Sequence, residues 1–139
     1  MFAAHSAIQL YKAKKSDLEA QLLTNSTTLM LKHKYSANDI ARIDDKYRIE
    51  EDLVRNEMDG LDDKTSNEYL DLMAELQELK DDREREKTRV EEAAKEFEDT
   101  INRQNTTMES QIQAIDADLE GLKEMRKQDI ESEFNYFQN

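Results

Sequence analysis

Residues 22–31 read LLTNSTTLML, and residues 102–110 read NRQNTTMES. In the first stretch, small polar residues at 24–28 interrupt an apolar periodicity running from Ala4 to Leu29. The second stretch, near the other end of the chain, repeats the same mixture of Asn and Thr. Two distant segments have reason to share such a defect if they face each other. Whether they do is a matter of register, and register follows from the spacing of the apolar residues around them.

In the first half these fall at Ala4, Ile8, Tyr11, Leu18, Leu22 and Leu29, then at Ile40, Ile43, Tyr47, Val54 and Leu61. Steps of three and four predict one long amphipathic helix over residues 1–58, with a kink allowed for near 33–39. The segment DGLDDKTSNE at 59–68 breaks the pattern. Asp-Gly ends a helix, and Thr65 followed three residues later by Glu68 predicts a capping box that opens the next one. A second helix then follows over 66–137, with its seam at Tyr69, Leu76, Val90, Phe97, Ile101, Met108, Ile112, Ile115, Leu119 and Leu122.

Seams this narrow need a partner, because an isolated amphipathic helix is marginal in water. The nearest partner is the other half of the chain. A hairpin centred on Thr65 sets residue i opposite residue 130 − i, and seam then meets seam: Ile8 with Leu122, Tyr11 with Leu119, Leu18 with Ile112, Leu22 with Met108, His33 with Phe97, and Val54 with Leu76. Both helices also depart from the heptad by steps of four and four, through Asn25, Leu29 and His33 on one and through Phe97, Ile101 and Asn105 on the other. The expected fold is therefore all-α: a single domain over 1–139 forming a long antiparallel helical hairpin of coiled-coil type, its turn at 59–66 and both termini at one end. In this register Asn25 faces Asn105. Two amides can satisfy each other, whereas either one facing Leu would cost about 1–3 kcal/mol. The expectation is a register layer, which gives up some stability to fix alignment. The plainer alternative is that both side chains turn to a solvated edge.

Composition agrees with a narrow seam rather than a large core. Charged residues make up 38% of the 139, apolar residues 37%, and the mean hydropathy is −0.99. There is no Pro, Cys or Trp, and the only glycines are Gly60 and Gly121. The net charge of −13 is concentrated in the second half: residues 1–60 hold nine basic and ten acidic residues, residues 61–139 eleven and twenty-three. An acidic chain without a basic stripe is not expected to bind nucleic acid. The absence of Cys excludes disulfides, thiolate nucleophiles and Cys-type zinc sites. No apolar run approaches a transmembrane span, and MFAAHSAIQL lacks the basic start and apolar block of a cleavable signal.

Other candidate sites read as structural. His5 and His33 are too far apart on a helix to share a metal, and no carboxylates cluster at ligand spacing around them. An EF-hand loop ending at Glu68 would need Gly where Asp62 stands. The sequons NST at Asn25 and NTT at Asn105 fall in helices. The run KDDREREKTRVEEAAKEFED at 80–99 reads as a solvated face laced with ion pairs. No catalytic arrangement, metal site or cofactor motif is expected, and the chain does not read as an enzyme.

Stickiness is concentrated near the termini. Residues 1–31 include sixteen apolar residues, and Leu10, Leu23, Met30 and Leu31 lie off the seam. Residues beyond about Asp129 have no partner under the pairing rule, and that overhang, IESEFNYFQN, carries Ile130, Phe134, Tyr136 and Phe137. An apolar end on a highly charged chain marks an interaction surface. The residues expected to carry self-association are Phe2, Ala7, Leu10, Leu23, Ile130, Phe134 and Phe137. With its paired apolar ends AIQLYKAKKSDLEAQLL and IQAIDADLEGLKEMRKQDIESEFNYF, the chain resembles in layout the helical axial proteins of bacterial flagella and type III secretion filaments. That resemblance implies a self-assembling subunit of a filament or surface appendage, exported without a cleavable signal. The second functional expectation is a coiled-coil adaptor, stalk or chaperone that binds a protein of a secretion machine, cytoplasmic if it is not exported.

Overall fold

A computed structural model of the protein describes residues 2–138; the side chains of Phe2 and Gln138 lie outside that description. Two helices account for nearly all of it, α1 (Phe2–Asp59) and α2 (Asn67–Gln138), packed against each other as a helical hairpin. Among the described residues there is no strand, no cis peptide and no residue with positive φ. Hydrogen-bonded helix continues through 33–39 without interruption. The chain forms two compact units, one made of residues 1–28 and 99–139, the other of residues 29–98.

The terminal unit holds the apolar core. Ile8 is fully buried against Ile115 and Leu119, with Tyr11, Leu18 and Leu122 packed around them. The 130 − i rule pairs Ile8 with Leu122 and Tyr11 with Leu119 in this cluster, whereas Ile115 falls opposite Lys15 by that rule. Burial of Ile8 contributes about 1.5–3 kcal/mol. Lys15 occupies a seam position between Tyr11 and Leu18, and its ammonium reaches Asp116 of α2 at 2.7 Å. The carboxylate accepts its hydrogen bond and raises the Lys15 pKa above the ordinary lysine value.

The polar stretches near 25 and 105 stay helical because their hydroxyls find acceptors in their own helix. Thr24 and Thr27 donate to the carbonyls of Ala20 and Leu23, and Thr106 and Thr107 to those of Asn102 and Arg103. Back-bonding of this kind satisfies a hydroxyl on a helix surface.

In the other unit the seam differs from the expectation. Its position after Leu29 is Lys32, half-buried with its ammonium 5.7 Å from the Phe97 ring centre, while His33 is exposed and lies 3.9 Å from Glu98. The long aliphatic stem of lysine can lie along a seam and carry its charge outward. The paired four-four step proposed at 25–33 is therefore absent from α1, which steps four and then three there. Buried Ser36, Tyr47, Glu51, Val54 and Met58 show where α1 lengthens its period instead, with steps of four from Lys32 through Ser36 to Ile40 and from Ile43 through Tyr47 to Glu51.

The turn also closes differently. The α2 N-cap is Ser66, one residue beyond the expected Thr65: Ser66 Oγ accepts from Tyr69 N at 3.2 Å, and its carbonyl accepts from Leu70 N. Thr65 is engaged with Asp63, which accepts from its backbone N at 2.9 Å and its Oγ1 at 2.6 Å, lowering the Asp63 pKa. Gly60 does not terminate α1 through a left-handed conformation, since its φ is not positive. The Lys64 ammonium instead caps the Met58 carbonyl at 2.8 Å.

Candidate functional site

Two kinds of feature stand apart from the ordinary apolar seam: polar layers between the helices, and exposed apolar residues near the termini. The first layer is the amide pair. Asn25 Nδ2 donates to Asn105 Oδ1 at 3.0 Å, and both side chains are half-buried. Beside the pair runs an open groove lined by Gln21, Thr24, Arg103, Gln104 and Thr107.

The second layer belongs to residues 29–98. Residues 80–89 of α2 contain no apolar side chain, so α1 must pack there against charge. Glu51, with its side chain 3% exposed, lies 3.1 Å from Arg83 Nη1 and 3.6 Å from Arg55 Nη2. Tyr47 OH donates to Glu86 Oε1 at 2.7 Å, and Lys46 approaches the same oxygen at 3.5 Å. Lys87 pairs with Asp44 at 3.1 Å. Donation to Glu86 holds the proton on the phenol and pushes the Tyr47 pKa up to about 12. The solvated-face reading of 80–99 is thus corrected in part: Arg83, Glu86 and Lys87 turn inward and pair across the hairpin. Glu51 sits a step of four after Tyr47 and three before Val54, so the period alone identifies it as a seam residue. Its charge argued otherwise.

Cross-helix contacts in this region have residue numbers summing to 131 for Asp44 and Lys87, 133 for Tyr47 and Glu86, and 134 for Glu51 and Arg83, against 130 for Asn25 and Asn105. The increase does not require a slipped backbone. Helical side chains lean toward their own N-terminus, so in an antiparallel pair both partners reach back and the numbers that meet grow with side-chain length.

The residues expected to mediate self-association are mostly accessible. Leu10 is 56% exposed, and Leu23, Ile130, Phe134 and Phe137 are exposed as well, Phe137 at 83%. Ala7 is half-buried, and the Phe2 side chain lies outside the described residues. They do not form one patch, because Leu10 and Leu23 are thirteen residues apart and project about 140° from each other around α1. The coherent element is the end of α2. Residues 130–137 are helical and exposed throughout, and Ile130, Phe134 and Phe137 follow one another at steps of four and three on one face. Tyr136 packs edge-to-face on Phe137, ring centres 5.7 Å apart.

Among the described residues no group of three or more His, Cys, Asp or Glu side chains converges as a metal site, and no helix is long and apolar enough to cross a membrane. No protein-family model, curated protein or solved structure matches the chain.

Proposed function

We propose that the protein is a structural, self-assembling helical-hairpin subunit of a filament or surface appendage, joined to its neighbours through apolar residues near its termini. The observation that carries this reading is the end of α2, which stays helical while presenting Ile130, Phe134 and Phe137 to solvent. An isolated turn or two of helix has little stability of its own in water. An exposed aromatic face on a chain with a net charge of −13 is best understood as one that another molecule covers.

Sedimentation velocity and negative-stain microscopy over a concentration series test the proposal. Assembly should grow with concentration, and removal of residues 130–139 should abolish it while leaving the helical circular dichroism nearly unchanged. A full-length chain that stays monomeric throughout would overturn self-assembly and leave the adaptor as the working reading.

A further inference from the structure

Beside the seam that α1 presents to α2 runs a second row with a period of its own. Ala7, Leu10, Lys14, Asp17, Gln21 and Thr24 follow one another at steps of three and four. Each stands one residue before a seam position, so the row lies about 100° around α1 from the face that α2 covers. Ala7 is half-buried and the other five are exposed, Leu10 at 56%. Ala13 and Ala20, also exposed, border the row on its outer side, and Gln111 and Ala114 of α2 border it on the inner side. None of these four is charged, and the alanines let another helix approach closely.

Lys14 and Asp17 are the only charges in the row, in a chain of which 38% is charged. The Lys14 ammonium rests 5.4 Å from the Tyr11 ring centre, and neither Lys14 nor Asp17 forms an ion pair among the described residues. Thr24 donates its hydroxyl to the Ala20 carbonyl, which leaves its methyl group to pack outward.

We propose that this row pairs antiparallel with the same row of a second copy, about a two-fold axis midway between Lys14 and Asp17. Residue i of one copy then faces residue 31 − i of the other, and the layers are compatible: Lys14 with Asp17, Leu10 with the aliphatic stem of Gln21, Ala7 with Thr24. The spacing of the two charges names the occupant. An opposite pair three residues apart becomes its own complement once the helix is reversed. Sliding by one heptad sets Lys14 against Leu10 or Thr24 and Asp17 against Ala7 or Gln21, while a parallel arrangement sets Lys14 on Lys14 and Asp17 on Asp17. A row of zero net charge also meets its copy without the repulsion expected between chains that carry −13 overall. The contact is isologous and closes at two copies. It names one contact of self-assembly and so rests on that reading, but it uses no residue of the α2 end.

The chain has no Cys, so engineered thiols report without background. L10C/Q21C sets two thiols roughly 16 Å apart along α1, too far to join within one copy. Oxidation should give covalent dimers of L10C/Q21C, and of L10C mixed with Q21C, but little from L10C alone. At low protein concentration, K14D and D17K should each weaken the dimer about tenfold by sedimentation equilibrium, and mixing the two should restore it, with helical circular dichroism unchanged. Efficient crosslinking of L10C to itself, or a K14D chain that dimerises like wild type, would overturn this pairing. Larger assemblies that persist in that case would leave the self-assembly reading standing. Pairs that crosslink as expected and never grow further would support the pairing and remove the filament. A chain monomeric at every concentration would remove both.

Discussion

Asn25 and Asn105, eighty residues apart in sequence, share a 3.0 Å hydrogen bond between their side-chain amides in the hairpin interface. Neither is fully buried, and each has room to turn to the edge. Their pairing sets one residue of α1 against one of α2, which an apolar layer does not do, since Leu packs acceptably against several neighbours. Replacing one Asn by Leu leaves the other amide facing an aliphatic group and should cost about 1–3 kcal/mol. Replacing both should raise the melting temperature above that of either single variant while loosening alignment. A double-mutant cycle by thermal denaturation reads the coupling, and a coupling of zero would mean that the pair contributes nothing in solution.

The alignment of the terminal unit was legible because its seam is apolar and nearly heptad. Ile8 and Leu122, and Tyr11 and Leu119, pair in the arithmetic and share one apolar cluster, to which Leu18 and Ile115 also belong. Residues 29–98 were harder to read. There the buried positions include Ser36 and Glu51, and α2 answers with Arg83, Glu86 and Lys87. Hydropathy cannot mark such residues as interior, and only their spacing carries the signal. The turn falls at 59–66 as expected, and only its cap was misplaced, for a different reason. Thr65 and Ser66 are both competent caps, and the choice between them was decided by Asp63, which engages Thr65 and leaves Ser66 to begin α2.

Among the described residues, Glu51 and Arg83 form the most buried ion pair. Removing one partner as E51A strands a guanidinium against the interface and should destabilise the fold by about 3–5 kcal/mol. Replacing both with apolar residues, as E51L/R83M, should be neutral or stabilising, because two desolvation penalties disappear together. Urea denaturation of the three proteins decides this. If E51A is no less stable than wild type, the carboxylate is solvated and the layer is incidental.

Tyr47 gives the layer a signature in alkali. Its phenol has a folded-state pKa near 12 through donation to Glu86, above the ordinary value of 10.0. A group whose pKa is raised by folding contributes stability that is fully present below the unfolded value and is lost as pH rises through the folded one. The wild-type chain should therefore lose stability between about pH 10 and 12 more steeply than Y47F, with the other tyrosines common to both. Parallel pH dependences of the two proteins across that window would show that the Tyr47–Glu86 bond does not persist in solution.

Ile8 and Leu10 are two residues apart on α1, one fully buried and the other 56% exposed, so they separate folding from association. Ile8→Ala empties part of the cluster with Ile115 and Leu119 and should cost about 2–5 kcal/mol, lowering the melting temperature whether or not the protein is assembled. Leu10→Ala removes a side chain mostly in solvent and should change the stability of the isolated hairpin by no more than about 0.5 kcal/mol. Its effect should fall on assembly instead, since Leu10 is one of the exposed apolar residues proposed to carry self-association. Melting curves at low protein concentration, paired with sedimentation at high concentration, measure the two effects separately. A Leu10→Ala chain that folds and assembles like wild type would take Leu10 out of the interface. One that melts as early as Ile8→Ala would place Leu10 in the core, contrary to its exposure.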